Sequence, residues 1–310
     1  MALQRRHLLL AGLSPVLCLA PEANAQDDVH VEVAGSRIQL VIEPGFSTQQ
    51  LQDIEHWVRQ AALSVAGYLG RLPLPRFELL LQRVAGAGVK GGTTFGEPEP
   101  YIRVRIGQDS SAAQLANDWV LVHEMVHLAV PRIPRSQNWL HEGIATYVEG
   151  VARVQAGLNS APRLWAELAR GLPQGQPQEG DRGLDHTPTW GRTYWGGALF
   201  CLLADVRLLQ ASQARQANQE PQGLKHALRG VLAAGGNYAQ QWPVRRILET
   251  ADAAVNQTTL ITLYEAMKDS SEPVDLGTLW QQLGVTATTG TPAMLDDNAP
   301  LAAVRRAIAA

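Results

Sequence analysis

The stretch VHEMVHLAV, residues 122–130, places His123 and His127 four positions apart, with Glu124 directly after the first histidine. Residues i and i+4 of an α-helix lie on one face about one turn apart, so both imidazoles can point at the same atom. Zinc accepts neutral histidine nitrogens at about 2.0–2.1 Å, and this spacing suits such a pair. Glu124 projects to a neighbouring face, from which its carboxylate can reach a water at the metal without becoming a ligand. The stretch therefore predicts a helix with a zinc site and a general base.

The sequence around this stretch also favours a helix, which we predict over about residues 112–130. Apolar residues recur at helical spacing at Leu115, Trp119, Val122, Val126 and Val130. Ser110 or Ser111 can cap its start, and Pro131 ends it. Two histidines on a helix can also be ordinary core or surface residues, and a chance motif of this kind is expected in on the order of one in a hundred such chains. A third ligand in register is therefore needed to support a metal site.

Glu142 is the candidate for that third ligand, and it lies in the stretch NWLHEGIATYVEG, residues 138–150. We predict that this stretch begins a second helix, with Asn138 as its N-cap. Glu142 then ends the first turn, and the short connection PRIPRSQ, stiffened by two prolines, holds it close to the preceding helix. Catalytic zinc usually has three protein ligands and one open position, and Glu142 completes such a set.

The two stretches together resemble the active-site motifs of the gluzincin metallopeptidases. This group includes thermolysin-like and aminopeptidase-like enzymes and the peptidase MA-like domains, and its second motif is W-L-x-E-G-x-A-x-Y. The matching positions here are Trp139, Leu140, Glu142, Gly143, Ala145 and Tyr147. The gap between His127 and Glu142 is shorter than in thermolysin and closer to that of the smaller MA-like domains. The resemblance implies Zn²⁺ as the cofactor, Glu142 as its third protein ligand and Glu124 as the general base.

Three further side chains of the second helix lie near the predicted site. Glu149 is expected to be a solvated carboxylate or one that supports the ligands, rather than a ligand itself. His141 adjoins Glu142 and is not assigned to the metal. Thr146 lies one turn after Glu142 and is expected to hydrogen-bond a ligating histidine, because zinc ligands are commonly oriented by such partners.

The segment TWGRTYWGGALF, residues 189–200, resembles the Y-x-x-G-A helix that follows the zinc motifs in aminopeptidase-like proteins. The resemblance implies that Tyr194 donates a hydrogen bond to the oxyanion that forms during hydrolysis. The alternative is that Tyr194 simply packs with the neighbouring tryptophans at a helix start. Arg192 and His186 are alternative donors from the same region.

The rest of the chain predicts an α+β fold, with an N-terminal mixed sheet and a helix, then the zincin active-site helices, then a helical C-terminal lobe. A β-hairpin, a helix, a strand, a glycine-rich loop and a second strand are expected at 29–43, 47–70, 77–84, 85–98 and 101–108. Further helices are expected at 138–157, 193–211, 222–234, 242–251, 257–268, 275–283 and 300–309. The predicted domains are a signal peptide 1–25, a β-rich zincin subdomain with the metal-binding helices 26–170, a helical C-terminal subdomain 171–285 and a tail with a short helix 286–310.

Two segments before the metal helix are predicted to border the cleft. The resemblance implies that strand 101–108 is an exposed edge strand that binds the substrate backbone as an additional strand. The alternative is an ordinary edge strand protected by Arg103 and Arg105. The glycine-rich loop 85–98 contains no phosphate-binding pattern and is expected to lie at the rim of the cleft.

Residues 1–25 have the order of a secretory signal peptide. Arg5 and Arg6 precede an apolar run, and Ala23 and Ala25 form a small-x-small cleavage site. The run is shorter than the about 20 residues that span a bilayer, so an uncleaved anchor is the weaker alternative. The paired arginines resemble a twin-arginine export signal, with an ordinary Sec signal as the alternative. We therefore predict a periplasmic or secreted protein with no stable membrane insertion after cleavage.

Composition narrows the class of partner. Removal of residues 1–25 takes away two arginines and one glutamate, so the formal net charge of −3 becomes −4 and gives no reason to expect nucleic acid as a partner. Cys201 is then the single cysteine, which excludes an intramolecular disulfide. The remaining chain of about 285 residues is long enough for a large core, in one compact unit or two lobes. The oligomeric state stays open.

These observations predict an exported zinc-dependent metallopeptidase that acts on a peptide or protein substrate. His123, His127 and Glu142 are the expected metal ligands, and Glu124 and Tyr194 the expected catalytic side chains. One rival is a zinc hydrolase that cleaves a different bond, because the fold and metal do not fix the substrate. A second rival is a non-catalytic metal-binding or peptide-binding protein of the cell envelope, which the intact Glu124 argues against.

Overall fold

The structure is a computed structural model that describes residues 29–215 and 221–310. The predicted signal peptide, residues 1–25, lies outside the described residues. The predicted fold class is confirmed, because a mixed five-stranded sheet forms the N-terminal part and helices form most of the remainder. In the part of the chain that the structure describes, no helix is long and apolar enough to cross a membrane.

The main sheet has the strand order β1-β2-β3-β5-β4. Its strands are β1 His30–Val33, β2 Ser36–Ile42, β3 Arg76–Val84, β4 Val89–Phe95 and β5 Tyr101–Gly107. β1 and β2 form the predicted antiparallel hairpin, β3 runs parallel to both β2 and β5, and β4 pairs antiparallel with β5. Two short strands, β6 Val285–Thr286 and β7 Met294–Leu295, form a separate antiparallel pair near the C-terminus.

The prediction of an exposed edge at 101–108 is wrong, because the glycine-rich segment before it forms β4 and covers that edge. Glycine is depleted in strands, so the sequence of Val89–Phe95 gave a weak strand signal. The arginines of β5 point at β4: the Arg103 guanidinium lies 4.9 Å from the centre of the Phe95 ring, and Arg105 donates to the carbonyl of Lys90. The free edge that packs against α3, which carries the predicted histidine ligands, is therefore β4.

The helices follow the predicted order with adjusted ends. They are α1 Thr48–Leu69, α2 Ala112–Ala116, α3 Val120–His127, α4 Trp139–Gln155, α5 Ala161–Gly171, α6 Gly197–Arg215, α7 Leu224–Ala233, α8 Val244–Ala254, α9 Thr259–Met267, α10 Leu276–Leu283 and α11 Ala302–Ala309. The predicted ends of α1 are confirmed: Ser47 forms a capping box with Gln50, and Gly70 ends the helix at a φ of 79°.

The single helix predicted over 112–130 is wrong, because the chain breaks it into α2 and α3. Ser111 caps α2 in a capping box with Gln114. The Asp118 carboxylate then accepts a hydrogen bond from the Leu121 amide at 3.1 Å and starts α3. Aspartate competes in this way for backbone donors and favours helix starts over helix interiors. The histidines therefore lie on a short helix of eight residues that is buried along its whole length.

Asn138 occupies the predicted N-cap position of α4, but it does not cap the helix with its side chain. Its backbone is already helical, with φ −57° and ψ −17°, and its side chain makes no capping hydrogen bond. The sequence also did not predict α5, whose Ala161–Gly171 span precedes the predicted boundary loop. A π-helical turn over Arg192–Gly196 leads directly into α6.

The helix α4 lies at the centre of the molecule and packs against α1, α3 and α6. It meets α6 closely at two glycines: a methyl group on Gly143 would lie 2.3 Å from the Gly197 backbone. Because Gly143 follows Glu142 and Gly197 follows the π-helical turn, this contact positions both segments of the candidate site.

Candidate metal centre

The structure brings His123, His127 and Glu142 together, with one possible ligand atom of each within 4.8 Å of the others. The Nε2 atom of His123 lies 3.2 Å from Glu142 Oε2, and the Nε2 atom of His127 lies 3.5 Å from the same oxygen. Both histidines are buried on α3, and Glu142 reaches them from the first turn of α4. Asn138 donates from its side-chain amide to the other carboxylate oxygen, Oε1, at 3.2 Å. These three side chains could hold a metal ion.

The electrostatics of the cluster favour an ionised carboxylate. Burial alone raises the pKa of Glu142, but hydrogen bonds with His123 and His127 outweigh it and hold that pKa well below its usual range. Burial lowers the pKa of His123, whereas at His127 the hydrogen bond with Glu142 overcomes burial and raises the pKa. The site thus combines a carboxylate with imidazoles, which is a donor set that zinc accepts.

Glu124 is held beside this cluster by the edge strand β4. The Thr94 hydroxyl lies 2.7 Å from Glu124 Oε2 and 2.9 Å from the Glu124 carbonyl oxygen, so its single hydrogen can bond to either. Gly92 lies against the same side chain, where an added methyl carbon would be 2.6 Å from Glu124 Cγ. Because Gly92 has no side chain, the Glu124 side chain can lie against this strand. The Thr94 hydroxyl then holds the Glu124 carboxylate in place.

Two phenols border the same cavity. Tyr194 lies on the π-helical turn, and its ring stacks on that of His123 with centroids 6.3 Å apart. Burial, together with the charges of Glu142 and Glu124, raises the pKa of Tyr194 to about 12. A phenol with this pKa keeps its proton at neutral pH and can donate it to a hydrogen bond. Tyr238 is the second phenol, and its hydroxyl donates to the Thr94 carbonyl at 3.5 Å.

The cavity has a volume of about 220 Å³. Its lining consists of Gly92, Thr93, Thr94, His123, Glu124, His127, Asn138, His141, Glu142, Tyr194 and Tyr238. All five side chains that the sequence predicted as ligands or catalytic groups therefore face one cavity. π-Helical turns are rare and frequent at functional sites, which agrees with the position of Tyr194.

Several other predictions for this region are wrong. Arg192 and His186 do not line the cavity: Arg192 is buried in an ion pair with Asp181 at 2.8 Å, and His186 binds Asp269 at 2.8 Å. The Thr146 hydroxyl makes no hydrogen bond to a histidine or to any other partner among the described residues.

His141 and Glu149 lie outside the cluster of His123, His127 and Glu142. His141 binds the Pro131 carbonyl oxygen at 2.8 Å, and burial lowers its pKa to about 4. Glu149 is largely buried, with 14% of its side chain exposed, and lies 3.6 Å from Arg153 on the same helix. The supporting roles of Thr94 and Tyr238 were missed, because neither residue belongs to a motif near the histidines.

No protein-family model and no curated protein matches the sequence. Solved structures do share the fold. An aminopeptidase N family protein from Idiomarina loihiensis superimposes with a TM-score of 0.60 at 14% identity, covering 87% of this chain and 51% of that one. A mutant M1 zinc metallopeptidase from Deinococcus radiodurans gives a TM-score of 0.50 at 13% identity, covering 79% of this chain and 52% of that one.

Yeast LTA4 hydrolase in complex with bestatin gives a TM-score of 0.50 at 14% identity, and the match covers 79% of this chain and 39% of that one. The chain thus spans about half the length of these neighbours or less. The likeness shows that the chain shares its fold with part of each of these proteins.

Proposed function

We propose that the protein is a zinc-dependent metallopeptidase that hydrolyses peptide bonds. The observation that carries the proposal is the convergence of His123, His127 and Glu142 on one buried point beside Glu124. The shared fold with zinc metallopeptidases supports it. We further propose that the protein is exported, in line with the order of residues 1–25, and that it acts on a peptide or protein substrate outside the cytoplasm.

The side chains present fit a zinc ion. Two atoms bound at about 2.0–2.1 Å to a tetrahedral ion lie about 3.3 Å apart. The two histidine-to-glutamate distances, 3.2 and 3.5 Å, are close to that value. His123 Nδ1 is buried and has no hydrogen-bond partner within the described residues, so no hydrogen bond outside the cluster competes for this ring. His123, His127 and Glu142 would hold the ion, which when bound supplies Lewis-acid polarisation of the carbonyl and makes water acidic enough to attack at neutral pH.

Glu124 is the proposed general base. Its carboxylate lies in the same cavity as the ligands but does not belong to the ligand cluster. It takes a proton from the attacking water as the oxygen bonds to the carbonyl carbon, and it passes this proton to the amine as the C–N bond breaks. The Thr94 hydroxyl holds Oε2 in one position, which leaves Oε1 to face the water.

Tyr194 is the proposed oxyanion donor. The carbonyl oxygen gains negative charge as the tetrahedral centre forms, and a fixed hydrogen-bond donor stabilises that charge. The phenol keeps its proton because its pKa is raised to about 12. Removal of one such donor typically costs about 10²–10³ in kcat.

Two measurements test the proposal together. Elemental analysis of the purified protein should give one zinc per chain, and a mixed peptide library analysed by mass spectrometry should show cleavage. Glu124→Gln should keep the zinc and lose the cleavage, whereas Glu249→Gln, an exposed glutamate of α8, should change neither. Cleavage that persists in Glu124→Gln would remove Glu124 from the mechanism. A protein that binds zinc but cleaves neither peptides nor other amides would be a metal-binding protein instead.

A further inference from the structure

A second and larger cavity, with a volume of about 420 Å³, adjoins the metal centre. Tyr194 is a wall of both cavities, so the larger cavity lies directly next to the metal centre. The cavity lies between the end of α4, the helix α5 and the π-helical turn. A volume of this size lies within the range of small-molecule and side-chain sites, about 300–1,000 Å³.

The walls of this cavity are aromatic and aliphatic. Trp119, Trp190 and Trp195 line it, together with Leu164 and Leu168. Trp119 is 49% exposed and Trp190 is 61% exposed, although large apolar side chains of this kind are normally buried. The Trp190 ring stacks on that of Tyr194 with centroids 5.8 Å apart, which extends the apolar wall towards the metal centre. Exposed aromatic groups around a cavity are typical of a binding site.

Three polar side chains in this cavity each have one buried atom without a hydrogen-bond partner among the described residues. Arg153 is only 7% exposed, and its Nε atom makes no hydrogen bond within the described part of the chain. Glu149 Oε2 and Thr146 Oγ1 are buried atoms of the same lining that have no hydrogen-bond partner either. A buried polar atom without a partner costs about 1–3 kcal/mol. Three such atoms in one cavity point to a ligand group that supplies the missing bonds.

The charged and polar side chains of the lining determine which kind of ligand group can bind in the cavity. Arg153 Nη1 lies 3.6 Å from Glu149 Oε2, and the lining holds one further arginine and one further glutamate, Arg163 and Glu167. A charged ligand tip would have to give up its hydration to enter this buried part of the lining. A purely apolar tip would leave the three polar atoms unsatisfied. A neutral tip that both donates and accepts hydrogen bonds can satisfy these three atoms.

Among amino acids, tyrosine combines a large aromatic body with such a tip. We propose that this cavity binds the side chain of a tyrosine next to the hydrolysed bond, with the ring between the tryptophans and the hydroxyl at Thr146, Glu149 and Arg153. The part of the proposal that concerns hydrolysis rests on the proposed metallopeptidase activity, whereas the binding itself does not.

Binding is measured first with zinc-loaded Glu124→Gln protein, which is expected to bind peptides without turning them over. Four capped pentapeptides differ only in a central tyrosine, phenylalanine, lysine or glutamate, and calorimetry gives each Kd. The tyrosine peptide should bind at least about tenfold more tightly than the phenylalanine peptide, because a site built to bond a hydroxyl rejects the analogue that lacks it. Equal Kd values for tyrosine and phenylalanine, or tighter binding of lysine or glutamate, would overturn the proposal.

Variants of the lining residues test whether the preference for tyrosine arises in this cavity. In the same Glu124→Gln background, Thr146→Val should reduce the preference for tyrosine over phenylalanine, because it removes one polar partner and keeps the shape. Thr250→Val, a half-buried helical threonine outside the cavity, is its control. Trp190→Ala should weaken both aromatic peptides about tenfold and leave their ratio unchanged, with the exposed Leu63→Ala as control. An unchanged preference in Thr146→Val, together with unchanged affinity in Trp190→Ala, would place the tyrosine elsewhere.

The two proposals fail in different ways. Cleavage of the peptide library by the unmutated protein with no enrichment of tyrosine beside the cut sites would overturn the tyrosine pocket and leave the peptidase intact. Tyrosine-selective binding with no cleavage of any peptide would overturn the peptidase and leave the pocket as a binding site.

Discussion

Gly92→Ala provides a steric test of how Glu124 is held. The added methyl carbon would lie 2.6 Å from Glu124 Cγ, 3.0 Å from Val120 Cγ1 and 3.1 Å from Glu124 Cδ. An ordinary contact begins near 3.4 Å, so the Glu124 side chain or the strand β4 must retreat by about 0.8 Å. Misplacement of a reacting group by about 1 Å can cost about 10²-fold in rate. We therefore expect kcat/KM to fall by about 10- to 100-fold.

The zinc content should not change in Gly92→Ala, because the methyl group meets no atom of His123, His127 or Glu142 among its nearest contacts. Overpacking costs about 1–3 kcal/mol, and the edge position of β4 gives the strand room to yield, so the loss of stability should stay near the lower value. Gly67→Ala is the control, since a methyl group there meets nothing within 4 Å.

The assay for Gly92→Ala combines kcat/KM on a cleaved library peptide, zinc per chain and urea unfolding. Full activity in the folded, zinc-loaded variant would refute the argument that Glu124 depends on this contact. Loss of zinc together with activity would place the damage in the ligand cluster instead of at the general base.

Three further changes test separate features. Gly143→Ala should destabilise the protein by about 3 kcal/mol or more, measured by urea unfolding, because the methyl group would lie 2.3 Å from the Gly197 backbone, which cannot move aside as a side chain can. Thr94→Val should lower kcat/KM about tenfold with KM and zinc content nearly unchanged, because it removes the hydrogen bond to Glu124 at 2.7 Å; a change confined to KM would contradict this. Burial raises the pKa of Glu149 from 4.5 to about 8, so the folded state favours the protonated form of this carboxyl group. The free energy of unfolding should therefore fall as the pH rises from about 5 to 8, by at most about 1.4 kcal/mol per pH unit. Glu149→Gln should flatten that slope in unfolding experiments at several pH values, and an equally steep slope would show that another group causes it.

The sequence predicted those parts of the site that depend on local geometry. His123, Glu124 and His127 follow from the spacing of one helix, and Glu142 follows from the first turn of the next helix and from the resemblance to known motifs. These relations extend over a few residues, so helical periodicity is enough to place them. The fold class followed in the same way from strands that precede helices.

The parts that the sequence did not predict depend on contacts between distant segments. The strand β4 is glycine-rich and gave no alternating pattern, yet pairing with β5 places its Thr94 on Glu124, 30 positions along the chain. The larger cavity draws its lining from residues 117–119, 146–153, 158–168 and 190–195, which no single motif connects. The break between α2 and α3 depends on one hydrogen bond of Asp118, a competition that apolar periodicity does not show.

The contact between Gly143 and Gly197 couples the two halves of the candidate site. Gly143 follows Glu142 on α4, and Gly197 follows the π-helical turn that carries Tyr194. Because backbone meets backbone at this point, the distance between α4 and α6 is fixed without side chains that could adjust. Glu142 and Tyr194, the proposed third ligand and the proposed oxyanion donor, are therefore set relative to each other by one helix crossing. The same crossing positions Tyr194 between the metal centre and the tryptophan-lined cavity, so the chemistry and the proposed tyrosine selectivity depend on a common structural element.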